Sequence, residues 1–321
     1  MQKYLSKNRL YAVLFIAIIL LLAACGSDDN NDAADNGSNT STEENTEQTV
    51  DSEMGEVTIP ANPEKILAPY HEDTLLALGI TPTAKWAIGE SVQNYLEEDL
   101  QGVDTIEWTM PLEQVLSYEP DLIILENSLD SYEGTYEDYS AIAPTYVMSQ
   151  EETSDWQAQL TRFGELLGKE DEAEQANADY VSKVEEANTE LQDILGDESV
   201  AFMWVTGGQF FLFEENRHSA NMIYSELGVE VPQLVKDLGE TEATWNPISL
   251  EKLSELDADH VITLGLEDDE GFETLNNSNV WQNTEAVQNN QVYHIEDQSN
   301  WTNSGIIAYE QTIDELMNTI K

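Results

Sequence analysis

The spacing of apolar residues changes character three times along the 321-residue chain. Behind Lys3, Lys7 and Arg9, an unbroken apolar run extends from Tyr11 to Ala24. From Ser27 to about Gly55 large apolar residues almost vanish, and Asp, Asn, Ser, Thr, Glu and Gln take over. Beyond that, short apolar runs alternate with stretches of helical spacing. The pattern predicts strands over 56–60, 65–68, 83–88, Leu122–Leu125 and 145–148, with helices over 71–78, 111–118, 136–141 and 155–167 between and after them. A single helix is predicted over Glu170–Leu195, with Ala173, Ala176, Tyr180, Val184, Ala187, Leu191 and Leu195 on one side and Gly196 as its stop. At about 1.5 Å per residue it would be roughly 39 Å long. Strands over 200–205, 210–213, 258–264 and Val292–Ile295 then alternate with helices over 219–227, 249–256, 279–286 and 305–320. Strands alternating with helices imply parallel α/β layers.

The first segment is a targeting sequence and stands outside the fold. Its apolar run is short for a bilayer span of about 20 residues. It ends Leu22-Ala23-Ala24-Cys25-Gly26, which resembles the bacterial lipobox. Cys25 is the only cysteine in the chain, which favours the lipobox over an ordinary signal peptide or a membrane anchor and rules out an intramolecular disulfide. Each buried acyl methylene adds about 0.8 kcal/mol, so a multiply acylated cysteine holds durably. The reading is residues 1–24 as lipoprotein signal peptide and 25–55 as lipidated cysteine and acidic flexible tether. Lipid on Cys25 would then hold the protein at the extracellular face of a cytoplasmic membrane, as on a Gram-positive cell surface.

Charge narrows the partners. Of 12 Lys and Arg, three lie in the leader, leaving nine against 64 Asp and Glu, a net charge of −55. Nucleic acid and anionic headgroups would both be repelled. Such a surface suits high salt, where repulsion is screened within about 3 Å at 1 M, or an alkaline exterior.

The two halves of the body echo each other. Tyr118-Glu119-Pro120-Asp121-Leu122-Ile123-Ile124 and Leu256-Asp257-Ala258-Asp259-His260-Val261-Ile262 each run from a short helix through acidic turn residues into a buried strand. With Ile59-Pro60-Ala61-Asn62-Pro63-Glu64-Lys65-Ile66, Pro111-Leu112-Glu113-Gln114-Val115, Ile142-Ala143-Pro144-Thr145, Ile223-Tyr224-Ser225-Glu226-Leu227-Gly228, Ile248-Ser249-Leu250-Glu251-Lys252-Leu253 and Val280-Trp281-Gln282-Asn283, this layout resembles the helix-linked binding lipoproteins of iron–siderophore and vitamin B12 ABC importers, most of all the ferric-hydroxamate type of Gram-positive bacteria. The resemblance implies an α/β fold of two Rossmann-like lobes (56–168 and 197–321), joined by one long backbone helix (169–196), with a ligand cleft between them. It implies a monomer that partners an ABC permease and its ATPase, and it places permease-docking glutamates at Glu113 and Glu251.

A ferric siderophore brings its iron already coordinated, so its binder needs aromatic walls and a few donors rather than metal ligands or a cofactor. Aromatics at loop mouths are Tyr70, Trp86, Trp108, Trp245 and Trp301. Trp204 and Trp281 read as core, and Trp156 as helix packing. Arg217, between a strand and a helix, is the basic residue of most interest, although the two glycines that follow it in the family are missing here; His218 is a candidate to replace or supplement it, and His71 is a further candidate on the cleft. Cations near the cleft are sparse (Lys85, Arg217, His71, His218), which favours a neutral or positive ferric hydroxamate over a catecholate of about three negative charges or ferric citrate; haem and cobalamin are alternatives that the same aromatic cleft would serve. A direct metal site built from His71, Glu72, Asp73 and His218 is a further reading, and a structural surface lipoprotein another. No catalytic motif supports an enzyme.

Overall fold

The computed structural model describes residues 47–239 and 244–320. The leader and Cys25 lie outside the described residues. Among the latter, no helix is long and apolar enough to cross a membrane.

The chain opens with an antiparallel hairpin, β1 (Gln48–Ser52) with β2 (Gly55–Ile59). This corrects the expected tether, which was to run through residue 55. β1 has only one aliphatic residue, Val50, but its backbone pairs fully with β2, and Gln48 Nε2 donates to the carbonyls of Glu165 and Leu166.

The first lobe centres on a parallel sheet in the order β3 (Ile66–Leu67), β6 (Leu122–Leu125), β7 (Thr145–Val147), beside a parallel pair of β4 (Lys85–Ala87) and β5 (Thr105–Glu107). Both faces of β6 are covered. Leu122 and Ile124 join the main core, while Ile123 and Leu125 join a second cluster with Leu67, Ile106, Tyr139 and Val147. A strand buried on both sides reads as a continuous apolar run, which is why 122–125 was legible. Helices α1 (Glu72–Ala77), α2 (Leu112–Tyr118) and α3 (Tyr136–Ser140) connect these strands.

α4 (Gln150–Ser154) and α5 (Trp156–Leu167) lead to the long helix α6 (Glu170–Leu195). α4 was not anticipated, although its capping box, Ser149 with Glu152, is visible in the sequence. α6 starts on Glu170, Asp171 and Glu172, favoured by the helix dipole, and ends at Gly196. Its buried residues, Ala173, Tyr180, Ala187, Leu191 and Leu195, form one narrow stripe. Gly164 of α5 permits close packing there, since a Cβ would lie 2.9 Å from that of Ala173.

The second lobe carries the sheet β11 (Val292–Ile295), β10 (His260–Leu264), β8 (Val200–Thr206), β9 (Gln209–Leu212), parallel except for the β8–β9 hairpin. Around it lie α7 (His218–Ser225), α8 (Gln233–Lys236), α9 (Leu250–Leu253), α10 (Glu270–Asn277), α11 (Asn279–Gln282) and α12 (Glu285–Gln288). The helix expected over 279–286 is thus two turns, broken where Thr284 goes extended (ψ 151°) and donates its hydroxyl proton to the Trp281 carbonyl. The last helix, α13 (Ile306–Thr319), packs on α6 and also on α1.

The repeated acidic turns have matching jobs. Asp121, just before β6, accepts from the backbone N–H of Glu64 and Lys65 (2.8 and 3.0 Å) at the start of β3. Asp259, just before β10, accepts from the N–H and hydroxyl of Ser199 (2.7 and 2.9 Å) at the start of β8. In each lobe one carboxylate fixes how neighbouring parallel strands begin. The molecule is therefore two α/β lobes joined by a long helix.

Candidate functional site

A cavity of about 430 Å³ opens where the ends of several elements meet. The β3–α1 turn contributes Tyr70 and His71, the first turn of α1 adds Asp73 and Thr74, and Glu126 follows β6. Sites at the carboxyl ends of parallel strands are the rule in α/β sheets. The α4–α5 junction adds Asp155, Trp156 and Gln159, while the second lobe adds Asn216, His218, Asn221 and Glu226, with Ser304 and Tyr309 at α13. Among the described residues that line it, four carry carboxylates and none is a lysine or arginine.

Two of the lining residues hold strained backbone. Tyr70 has φ 76° and His218 φ 41°, in the left-handed region that non-glycine residues avoid. Such strain concentrates where surrounding structure fixes a functional side chain. Tyr70 is 39% exposed and packs on Trp86 at 5.4 Å between ring centroids, so Trp86 extends the same aromatic wall.

Both imidazoles of the lining are pulled below the usual histidine range. Burial pulls His71 down to about 4, opposed by a hydrogen bond to the Gln159 side chain. Burial, then the nearby Arg217 charge, pulls His218 down to about 4. The acids go the other way. Burial raises Glu126, Glu226 and Asp73 above the usual carboxylate range. Tyr180 opposes this at Glu226, donating its hydroxyl at 3.0 Å. Asp73 accepts from the backbone N–H of Ile307 and Ala308 (3.1 and 2.9 Å) and from the Tyr95 hydroxyl (3.1 Å), so it joins α1 to the start of α13.

Of the residues singled out from sequence, Tyr70, His71 and His218 line the cavity. Arg217 does not; it is buried, its guanidinium bound to the Glu214 carboxylate and lying 4.2 Å over the Trp245 ring. Trp245 in turn stacks on His218. The expected donor is therefore part of a packed ladder that supports His218. Trp108 is 38% exposed and lies outside the cavity lining. Trp301 is a correction: it is fully buried, packs on Phe202 and donates Nε1–H to Glu315 at 2.7 Å, because its loop folds inward over α13. Trp156 corrects the opposite way, since it lines the cavity while packing on Tyr180. Glu126, Gln159 and Tyr309 were missed; each is an unremarkable residue in its own segment.

The four-residue metal reading fails on direction. Neighbours on a helix point apart: Glu72 turns to the N–H of Trp86 (2.6 Å), and Asp73 turns to α13. Among the described residues no three His, Cys, Asp or Glu are placed to hold a metal ion. Glu113 and Glu251 are exposed in the first turns of α2 and α9, outside the cavity lining.

Residues 67–299 match the family model described as periplasmic binding protein, which is most of the described chain. The chain belongs to the periplasmic binding protein family. Members of this family with this fold are binding components of ABC transporters rather than enzymes. Among its relatives is the iron(3+)-hydroxamate-binding protein YxeB of Bacillus subtilis, 24% identical over 90% of this chain and 89% of YxeB. The iron(3+)-hydroxamate-binding protein FhuD of the same organism is 28% identical, covering 88% of this chain and 89% of FhuD. In structure, the chain is similar to a FhuD fold-family component of a Fep/Fec-like ferrichrome ABC transporter from B. subtilis, with TM-score 0.69 and 25% identity over 84% of this chain and 98% of that one.

Proposed function

We propose that this protein captures a ferric siderophore of the hydroxamate type in the cleft and delivers it to the permease of an ABC importer, while lipid on Cys25 keeps it at the outer face of the membrane. The observation that carries the ligand class is the charge of the cavity. Asp73, Glu126, Asp155 and Glu226 line it, and the nearby cations are engaged elsewhere: Lys85 with Glu97 at 2.6 Å and Arg217 with Glu214. A ferric catecholate of about three negative charges would meet repulsion in a low-dielectric cleft. A neutral or positive ferric hydroxamate would not. The relatives named for iron(3+)-hydroxamate binding support the same class.

Trp156 in the lining and Trp86 beside Tyr70 make the test optical. Ferric hydroxamates at micromolar concentration should quench tryptophan fluorescence of the full-length protein in detergent micelles. Quenching by catecholates, ferric citrate, haem or cobalamin alone would overturn the ligand class, and no response to any would favour a structural lipoprotein. Docking through Glu113 and Glu251 is part of the proposal. Charge reversal at both should abolish siderophore uptake by cells and leave ligand affinity within twofold; undiminished uptake would refute it.

A further inference from the structure

Among the described residues the two most exposed large apolar side chains are Leu266, at 62%, and Leu116, at 58%. A single exposed leucine is ordinary, but these two keep particular company. Leu116 lies three residues after Glu113 on α2, so the two share a helix face, while Val115 turns into the core. α2 is held flat on β5: the Gln114 side chain accepts from the Glu107 N–H at 3.1 Å, and the Tyr118 hydroxyl donates to the Thr105 carbonyl at 2.9 Å. In the second lobe, the Ile248 N–H donates to the Phe210 carbonyl at 2.7 Å, and Phe210 pairs with Val205. Gly265 packs on Val205 so tightly that a Cβ would lie 2.3 Å from its carbonyl oxygen. Ile248, Phe210, Val205 and Gly265 thus form one row across the end of the sheet. Glu251 follows one end of that row and Leu266 the other, the two ends being roughly 14 Å apart at three strand spacings of about 4.8 Å. Leu266 sits in a fixed turn. Its carbonyl accepts the Asp269 N–H at 3.0 Å, and the Asp269 carboxylate accepts from the N–H groups of Gly207, Gly208 and Gly271 (2.7, 3.1 and 2.8 Å).

Each lobe therefore presents one rigidly held leucine on the same side as one of the two glutamates proposed for docking. Carboxylates alone cannot mark these faces. Glu113 and Glu251 are two of 64 acidic residues, so a basic side chain of a partner would meet acid almost anywhere on the surface. An exposed ion pair strengthens association by at most about fivefold, whereas burying most of a leucine gives roughly tenfold. We infer that Leu116 and Leu266 are the apolar anchors of the permease interface, one per lobe, and that the outer face of the permease carries an apolar hollow next to each basic side chain that meets Glu113 or Glu251. Specific interfaces are built this way, with an apolar centre inside a polar rim. The anchors rest on the docking role proposed above for Glu113 and Glu251, and they supply the register that charge cannot.

Uptake of ferrioxamine B, a ferric hydroxamate, loaded with radioactive iron makes the test, in cells whose only hydroxamate-binding protein is the full-length chain. Leu116→Gln combined with Leu266→Gln should slow uptake at least tenfold. Tryptophan quenching of the same variant in detergent micelles should report a ligand affinity within twofold of the parent. Leu116→Met combined with Leu266→Met, which keeps both positions apolar, should leave uptake within twofold. If the glutamine variant takes up iron normally while charge reversal at Glu113 and Glu251 abolishes uptake, the anchors fall and the docking glutamates stand. If uptake drops in the glutamine variant but not on charge reversal, the anchors stand and the glutamates fall. Normal uptake in both removes both. A matching loss of ligand affinity in the glutamine variant, or an equal loss of uptake in the methionine variant, would also overturn the anchors. So would sedimentation that shows a dimer of the parent which the glutamine substitutions dissolve, since the leucines would then meet a second copy of this chain.

Discussion

Replacing Gly305 with alanine tests how the two ends of the chain are held together. Gly305 is extended (φ 163°), a conformation any residue adopts, so backbone strain is not the issue. Space is. A Cβ there would lie 2.5 Å from Cγ and Oδ2 of Asp73 and 2.7 Å from its Oδ1. The carboxylate has nowhere cheap to go, because it accepts from Ile307 N–H, Ala308 N–H and the Tyr95 hydroxyl and is buried. Hydrogen bonds to a carboxylate contribute roughly 1.5–3 kcal/mol each. Losing two of them predicts a cost of about 3–5 kcal/mol, or a fall of roughly 10 °C in Tm for a body of this size. Urea and thermal unfolding would measure it. Asp73→Ala removes the obstacle, so the double variant should cost clearly less than the sum of the single ones, as coupling between contacting residues requires. A Gly305→Ala protein within 1 kcal/mol of the parent, or strictly additive effects, would refute the clamp.

Glu72 sets a pH dependence. Burial pushes its carboxyl up to about 8, against the opposing Trp86 N–H, while its second oxygen makes no hydrogen bond. The folded state keeps a proton that the unfolded chain releases near 4.5. Its stabilising contribution is therefore complete below that pH and is lost as pH rises to 8, on the order of 3–5 kcal/mol. Glu72→Gln should flatten the fall in urea stability between pH 5 and 8; parallel curves for the two proteins would contradict this. Trp301→Phe loses the bond to Glu315 and should cost about 2 kcal/mol while siderophore affinity stays within twofold, and a large loss of affinity would return Trp301 to the cleft. Trp156→Phe should remove the largest share of ligand-induced quenching and Trp281→Phe almost none, an order that fluorescence titration checks directly.

Much of the scaffold was legible because its signals are local. Leu122–Leu125, Glu170–Leu195 and Val292–Ile295 begin and end where the pattern places them, since apolar runs, stripes and glycine stops act within a few residues. Parts of the cavity lining were legible for the same reason: Tyr70, His71 and His218 sit at element ends, where chains turn toward a cleft. The failures have a common physical cause. Whether a loop is buried is decided by segments far away in sequence. Trp301 looked like a loop aromatic and is core because α13 covers it; Arg217 looked like a cleft donor and is tied to Glu214 under Trp245. Asp73 makes the point most sharply. Its local pattern says only that an acid sits in the first turn of a helix, a dipole effect of a few tenths to about 1 kcal/mol. Its backbone partners are 234 and 235 residues further along the chain, and their contribution is several times larger. The glycine that makes room for it, Gly305, carries no turn and no positive φ to announce itself. Residues of this kind become visible only when the two ends of the fold are brought together, and in this protein that meeting place is also the wall of the cavity.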